Sequence, residues 1–432
     1  MPRPTSWIRL TKISAKLFLL VLAFPVSVGA HEYDLPELIQ HAVNNHPLVK
    51  SAMATEQSAQ KNIETVEWQI YPTPAIIVEG VKASSTDPNY KGDDKVTTLR
   101  LSQPLYSGGS FTAQLERAKA NLKIAQATLR ETSLQVAQKV VQSYTDWLSA
   151  ELKTQSWKKS QAIHQKLLQS AKNRITQGVS APSDFILVQG RLDATNAELF
   201  SASLQAELAL NRLREQLDLP LTSAQIKSAT VSPLDPTASL DQLLTAAQNQ
   251  SPAIDKARSQ VLVAQANAQE RQSALLPDVS LRMERQYGNF GIPNTSAENR
   301  VFITLSTKFG AGLSSFSQIS AARALEESSQ LEIQTQQRII REQVVNDHAM
   351  SRSYKERLQT LMRSLEASQA VLDSFERQFA SGRKSWLDLM TIAREVAQNE
   401  AQIADLKAAE MQTAWHLHLL TTSSYFSSKA RP

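Results

Sequence analysis

Apolar and polar residues alternate in four short stretches of this chain, and long stretches free of proline and glycine separate them. The clearest alternation sets Val279, Leu281, Met283 and Tyr287 against Ser280, Arg282, Glu284 and Gln286. A second sets Val301, Ile303, Leu305 and Phe309 against Arg300, Thr304, Ser306 and Lys308. A period of two predicts strands with one apolar and one polar face. Residues 75–84 (AIIVEGVKAS) and 96–105 (VTTLRLSQPL) read as an earlier pair of strands. The segment between them, STDPNYKGDD, has the Asp, Pro, Asn and Gly of an exposed turn. Alternation by itself also fits a half-buried strand of an ordinary soluble sheet.

The remaining pattern is helical. Residues 35–70 read as one helix with an early proline, ended by Tyr71-Pro72-Thr73-Pro74, because proline disfavours helical geometry in the residue before it. After Ser107-Gly108-Gly109, no proline or glycine occurs from Ser110 to about Thr176. Such a run predicts a helix about 100 Å long at 1.5 Å per residue. Leu115, Ala118, Leu122, Ala125, Leu129 and Val136 follow a 3-4 spacing, with Thr132 in the remaining slot, which predicts a coiled-coil-like seam. Gln177 to Pro182 reads as a turn, and residues 183–218 as a return helix.

The chain then repeats itself. Residues 35–52 (LPELIQHAVNNHPLVKSA) align with 240–257 (LDQLLTAAQNQSPAIDKA) at an offset of 205. Pro72 aligns with Pro277 at the same offset, and Leu101-Ser102 aligns with Leu305-Ser306 at 204. Gly108 with Gly312, Gly178 with Gly382 and Asp184 with Asp388 keep that offset of 204. A repeat this long describes one supersecondary unit used twice. After a leader at 1–30, read from its own pattern below, it predicts a first repeat at 31–220 with a hairpin at 75–105, and a connector at 221–239. A second repeat follows at 240–421 with a hairpin at 278–309, and a tail at 422–432.

Charge and composition narrow the function classes. The chain opens with MPRPTSWIRLTKISAK, an apolar run LFLLVLAFPVSV and Gly29-Ala30, the pattern of a secretory signal peptide. Removing Arg3, Arg9, Lys12 and Lys16 with it takes the net charge from +5 to +1, so a nucleic-acid partner loses its electrostatic support. No later run approaches the roughly 20 apolar residues of a membrane helix. The chain has no cysteine, which excludes disulfides, cysteine metal sites and a lipidated cysteine. Among the seven histidines, His416 and His418 are two apart and point to different sides of a helix. No HExxH, phosphate-loop or dinucleotide motif appears, so no enzyme activity, cofactor or metal is expected.

Two hairpins separated by 100 Å helices cannot close a barrel, and four strands leave exposed edges. A bilayer offers nothing to satisfy such edges, and single-chain membrane barrels need about eight strands or more. If the strands cross a membrane the chain must associate, and three copies supply twelve. The alternating apolar residues would then face lipid, while Arg282, Glu284, Arg300 and Lys308 face a watery lumen. The competing reading is a secreted periplasmic coiled-coil scaffold or adaptor, which has no use for alternating strands.

The repeated helix–hairpin–helix–turn–helix order, the strand end LSQPLYSGG, and the turns RITQGVSAPSD and RQFASGRKSWLD resemble the TolC family of outer-membrane channel proteins. The similarity covers essentially all of the chain after the leader. It implies an α+β membrane protein of mostly long helices, trimeric, with a twelve-stranded β-barrel in the outer membrane and an α-barrel crossing the periplasm. The implied partners are a periplasmic adaptor and an inner-membrane transporter (ABC, RND or similar), in an efflux pump or type I secretion system. Matched residue by residue, Phe379 falls at the prototype's gate tyrosine, Lys384 at a gate arginine and Asp184 at its acidic partner. Asp388 matches one constriction aspartate, while Thr391 replaces a second. The implied adaptor contacts are Gly178, Val179, Ser180 and Ser183 in one turn, and Gly382, Arg383, Ser385 and Trp386 in the other. Helix capping is the alternative role for Asp184 and Asp388.

Overall fold

Pro47 divides the first predicted helix. In the computed structural model, which describes residues 32–84, 86–227, 238–307 and 310–422, α1 (Leu35–Asn45) ends where His46 takes an extended conformation (φ −62°, ψ 133°). Proline forces that geometry on its predecessor, and α2 (Pro47–Trp68) starts at once, with the His46 ring accepting from the Leu48 N–H. The second copy breaks identically at Ser251-Pro252, between α5 (Leu240–Gln250) and α6 (Pro252–Ser273). The expected leader, Lys308, Phe309, residues 228–237 of the connector and most of the tail lie outside the described residues.

β1 (Thr73–Gly80) and β2 (Lys95–Tyr106) form the first hairpin, starting two residues earlier than the alternation suggests. β3 (Asp278–Tyr287) and β4 (Glu298–Ser306) form the second. The hairpins join into one antiparallel sheet in the order β1-β2-β3-β4, because β2 pairs with β3.

The helices are duplicated to the residue. α3 (Ser110–Thr176) and α7 (Ser314–Ala380) have 67 residues each, and α4 (Pro182–Leu217) and α8 (Trp386–Thr421) have 36 each. Near the sheet the helices neighbour one another in the order α2, α3, α6, α7, the order of the strands they continue. Beyond the ends of α2 and α6 the order becomes α4, α3, α8, α7, so the wall stays four helices wide.

Position in that wall explains a difference between two helices of equal length. α3 has neighbours on both sides and buries 22 residues, whereas α7 has neighbours on one side and buries 7. The single seam expected on α3 is replaced by two. Ala113, Ala120 and Ala127 form one stripe and Ala118 and Ala125 another, while Leu115, Leu122 and Leu129 are half-buried. Five residues' separation turns about 140° around a helix, so the stripes face different neighbours, and alanine permits the close approach. Arg130–Asp255 and Lys256–Glu131, both at 2.9 Å, pin α3 to α6.

Midway along α3 the main core gathers α1, α3, the end of α4 and the end of α8 around Tyr144 and Trp415. Tyr144 donates to the Lys227 carbonyl, and Tyr33 bridges in parallel to Ile226. Among the described residues, no helix is long and apolar enough to cross a membrane.

Candidate functional site

The two ends of this long wall carry the chemistry. At the sheet end, register places Leu101, Met283 and Val301 in one line, and Ile76 opposite Leu99. These side chains stand outward: Ile76 is 74%, Val301 66%, Ile303 75% and Leu305 68% exposed. A face of large, open aliphatic side chains on every strand is the surface of a lipid-facing sheet rather than of a soluble one.

The opposite face is charged and internally bonded. Arg100, Glu284 and Arg300 lie in one line across β2, β3 and β4. Glu284 accepts from Arg100 at 2.7 Å and pairs with Arg282 at 3.2 Å. Arg300 reaches Gln286 at 3.0 Å and Glu298 at 2.5 Å, and Arg282 lies 4.6 Å above the Phe302 ring. The alternation pointed to Arg282, Glu284 and Arg300. Arg100 was legible in the same way, as the polar residue between Leu99 and Leu101.

Sequence reading missed the clasp between the two hairpin tips. The Asp93 carboxylate accepts from the Asn289 N–H (2.9 Å) and the Asn294 N–H (3.4 Å), and Gly92 donates to the Phe290 carbonyl at 2.7 Å. A Cβ at Gly92 would sit 2.0 Å from the Asn289 carbonyl oxygen, so only glycine fits. Its only sequence signal was the Gly92-Asp93 pair within a turn-rich loop.

At the far end, both turns close by the same device. Gly178 (φ 73°) donates to Ile175 and Val179 to Arg174; Gly382 (φ 75°) donates to Phe379 and Arg383 to Gln378. This pair of bonds around a left-handed residue is the Schellman motif, which favours glycine. The helices that follow start differently. Ser385 caps α8 and Asp388 completes a capping box, its carboxylate accepting from the Ser385 hydroxyl (3.0 Å) and N–H (3.3 Å). Those bonds, with a lesser pull from Lys384, hold the Asp388 carboxyl below its usual pKa. Asp184 occupies the matching position of α4, but Ala181 at the cap offers it no hydroxyl.

Within one chain Lys384 lies 3.8 Å from Asp388 and 4.2 Å from the Phe375 ring centroid. Phe379 packs against Trp386 at 4.2 Å, with the Arg174 guanidinium 5.0 Å from its ring. Trp386 requires a correction. Expected on the docking surface, it is buried, because its indole fills the cluster made by Leu167, Val188, Leu372 and Leu389. Gly178, Val179, Ser183, Gly382, Arg383 and Ser385 are exposed, and Ser180 is partly so. Among the described residues no group of His, Asp and Glu could hold a metal ion.

Comparison with known proteins gives one answer. The profile of the outer membrane efflux protein family matches residues 38–217 and 243–421. The pyoverdine export outer membrane protein OpmQ of Pseudomonas putida is 31% identical over 182 residues, which is 38% of this chain and 37% of that protein. The chain thus aligns with about a third of the length of that curated relative. The outer-membrane channel OprN superposes with a TM-score of 0.77 at 19% identity, over 90% of each chain. The outer membrane protein VceC of Vibrio cholerae superposes with a TM-score of 0.74 at 16% identity, over 90% of this chain and 96% of its own.

Proposed function

Because the chain belongs to the outer membrane efflux protein family, we propose that it acts as a homotrimeric channel, conducting substrate from the periplasm through the outer membrane. The observation that carries this reading is the sheet: four strands with an aliphatic outer face, a charged inner face and each strand running on into one helix of a four-helix wall. Soluble monomeric proteins rarely expose such a patch. A coiled-coil scaffold has no use for it.

Three copies close both layers at once, with twelve strands above twelve helices. The partly covered α7 of one chain meets α2 and α4 of the next, where Phe200 and Ile186 on α4 are among the open apolar side chains. The periplasmic turns form the entrance. There a periplasmic adaptor contacts the exposed residues of both turns, and an inner-membrane transporter feeds the channel through it.

In the assembled entrance, six carboxylates from Asp184 and Asp388 gather around a narrow opening and draw in cations. Lys384 of one subunit and Asp184 of another hold the closed state, with Phe379 packed beside them. Planar-bilayer conductance tests this: Asp184→Ala and Lys384→Ala raise the open probability, and unchanged opening in both removes the latch. The channel itself is tested by extraction. The protein requires detergent to leave the outer membrane and runs as a trimer before boiling; a water-soluble monomer would end the proposal.

A further inference from the structure

The sheet ends at β1 and β4, and a trimeric barrel must join β4 of one chain to β1 of the next. The chain already contains a seam of that kind, since β2–β3 joins the end of one hairpin to the start of the other. In that seam Leu101 stands opposite Met283, and Arg100 opposite Glu284. The two hairpins are copies in register as well as in sequence: Thr73 pairs with Ser102, and their counterparts Asp278 and Ser306 pair likewise. Leu305 is therefore the counterpart of Leu101, and Val78 that of Met283.

From this duplication we infer the residue-level register of the intersubunit seam: Leu305 pairs with the partner subunit's Val78, and Thr304 with the partner subunit's Glu79. The inference rests on the trimeric-channel reading and goes beyond it by fixing the shape of the barrel. Followed along the hydrogen-bond direction, Pro74 leads through Leu101 and Met283 to Val301. The proposed seam carries Val301 on to the partner subunit's Lys82, two residues past the end of β1 and eight residues further along the chain than Pro74. Three subunits make a shear of about 24 residues, which with 3.3 Å per residue and 4.8 Å between strands gives a tilt of about 54°.

A second observation, independent of the repeat, excludes the more upright registers. Each strand continues into one helix, and the helices α2, α3, α6 and α7 neighbour one another in strand order. Packed helices lie about 8–10 Å apart, whereas strands lie about 4.8 Å apart. One strand per helix keeps pace around the ring only when the strands lean until 4.8 Å divided by the cosine of the tilt reaches that spacing. That requires about 53–61°, which a shear of about 24 or of about 30 (about 60°) satisfies, and the duplicated register selects 24. Side-chain alternation and threefold symmetry allow shears only in steps of six. The next lower values give about 46° and about 35°, too upright to match the helices. This barrel is steeper than the usual 35–45° because its strands end in helices rather than turns.

The absence of native cysteine makes the register directly readable. Directly opposite residues have Cβ atoms about 4.5–5.5 Å apart, while a shift of two gives about 7–8 Å, beyond disulfide reach. Three double variants pair Leu305→Cys with Val78→Cys, Ile76→Cys or Pro74→Cys, all on the aliphatic face. Each is oxidised in isolated outer membranes and boiled in non-reducing detergent. The first should give covalent dimers and trimers at least about tenfold more abundantly than the other two. Thr304→Cys with Glu79→Cys repeats the test from the inner face, should the outer pair disturb assembly. Predominant cross-linking at position 76 or 74 overturns the register, as does no cross-linking in protein that still runs as an unboiled trimer. A monomer before boiling in the single-cysteine variants overturns the trimeric reading as well.

Discussion

Glu284 offers the sharpest test of which sheet face meets water. Its side chain is only 10% exposed, and it sits between Arg100 at 2.7 Å and Arg282 at 3.2 Å. Glu284→Gln keeps the shape and removes the charge, leaving both guanidiniums without a carboxylate. At an effective dielectric of about 20, one such pair at 4 Å is worth about 4 kcal/mol before desolvation. Both arginines are more than a third exposed, so screening reduces the net loss to about 1–2 kcal/mol per subunit. The barrel should still assemble, with a lowered temperature for conversion of trimer to monomer. The electrical effect is larger: three copies lose three negative charges from one band of the wall. At 0.1 M salt the Debye length is about 10 Å, comparable with the barrel radius, and at 1 M it is about 3 Å. In a tenfold KCl gradient the reversal potential of the variant should move by several millivolts toward chloride selectivity at low salt. The shift should fade above about 1 M, and Glu284→Asp should behave as the parent. An intact Glu284→Gln trimer with unaltered reversal potential at 0.1 M would refute the assignment of this face to the lumen.

Gly382→Val places a β-branched residue at φ 75° where a Cβ meets nothing within 4 Å. It should cost about 1–2 kcal/mol through backbone strain alone, seen as faster hydrogen exchange confined to the amides of that turn. Gly178→Val should behave alike. Asp388 has a folded-state pKa below its unfolded value, so its contribution is present at neutral pH and lost as pH falls below about 4. Protection factors at the start of α8, corrected for the intrinsic pH dependence of amide exchange, should fall there, and Asp388→Asn should remove that dependence. Asp347 on α7 is displaced the other way: burial pushes its pKa up to about 6, and its Oδ2 has no hydrogen-bond partner among the described residues. The stabilisation is then full below about pH 4 and disappears as pH rises through about 6. Protection factors in the middle of α7, corrected for the intrinsic pH dependence of amide exchange, should be lower at pH 8 than at pH 5, and Asp347→Asn should flatten the difference.

The tip shows where sequence reading stopped. Gly178 and Gly382 were legible because only glycine takes a left-handed turn without strain. The fates of the residues around them were not. Trp386 and Val179 both follow a turn glycine closely, yet one ring is buried and the other side chain stands in solvent. Val179 closes the turn itself, whereas Trp386 opens α8 where residues of α3, α4 and α7 close over its ring. Asp184 and Asp388 are equivalent in the repeat, and only the hydroxyl of Ser385, against the methyl of Ala181, makes one a capping partner.

Local rules settled everything that depends on near neighbours in the chain. Proline placement set the helix ends, alternation set the strand faces, and the duplication announced two equal units. Tertiary structure decided what depends on residues far apart: that β2 pairs with β3, that α3 is flanked on both sides while α7 is not, and that the hairpin tips clasp through Asp93. Backbone preference acts over a few residues and leaves a pattern in the sequence. Burial and pairing are set by which surface closes over a residue, and a linear pattern carries no record of that.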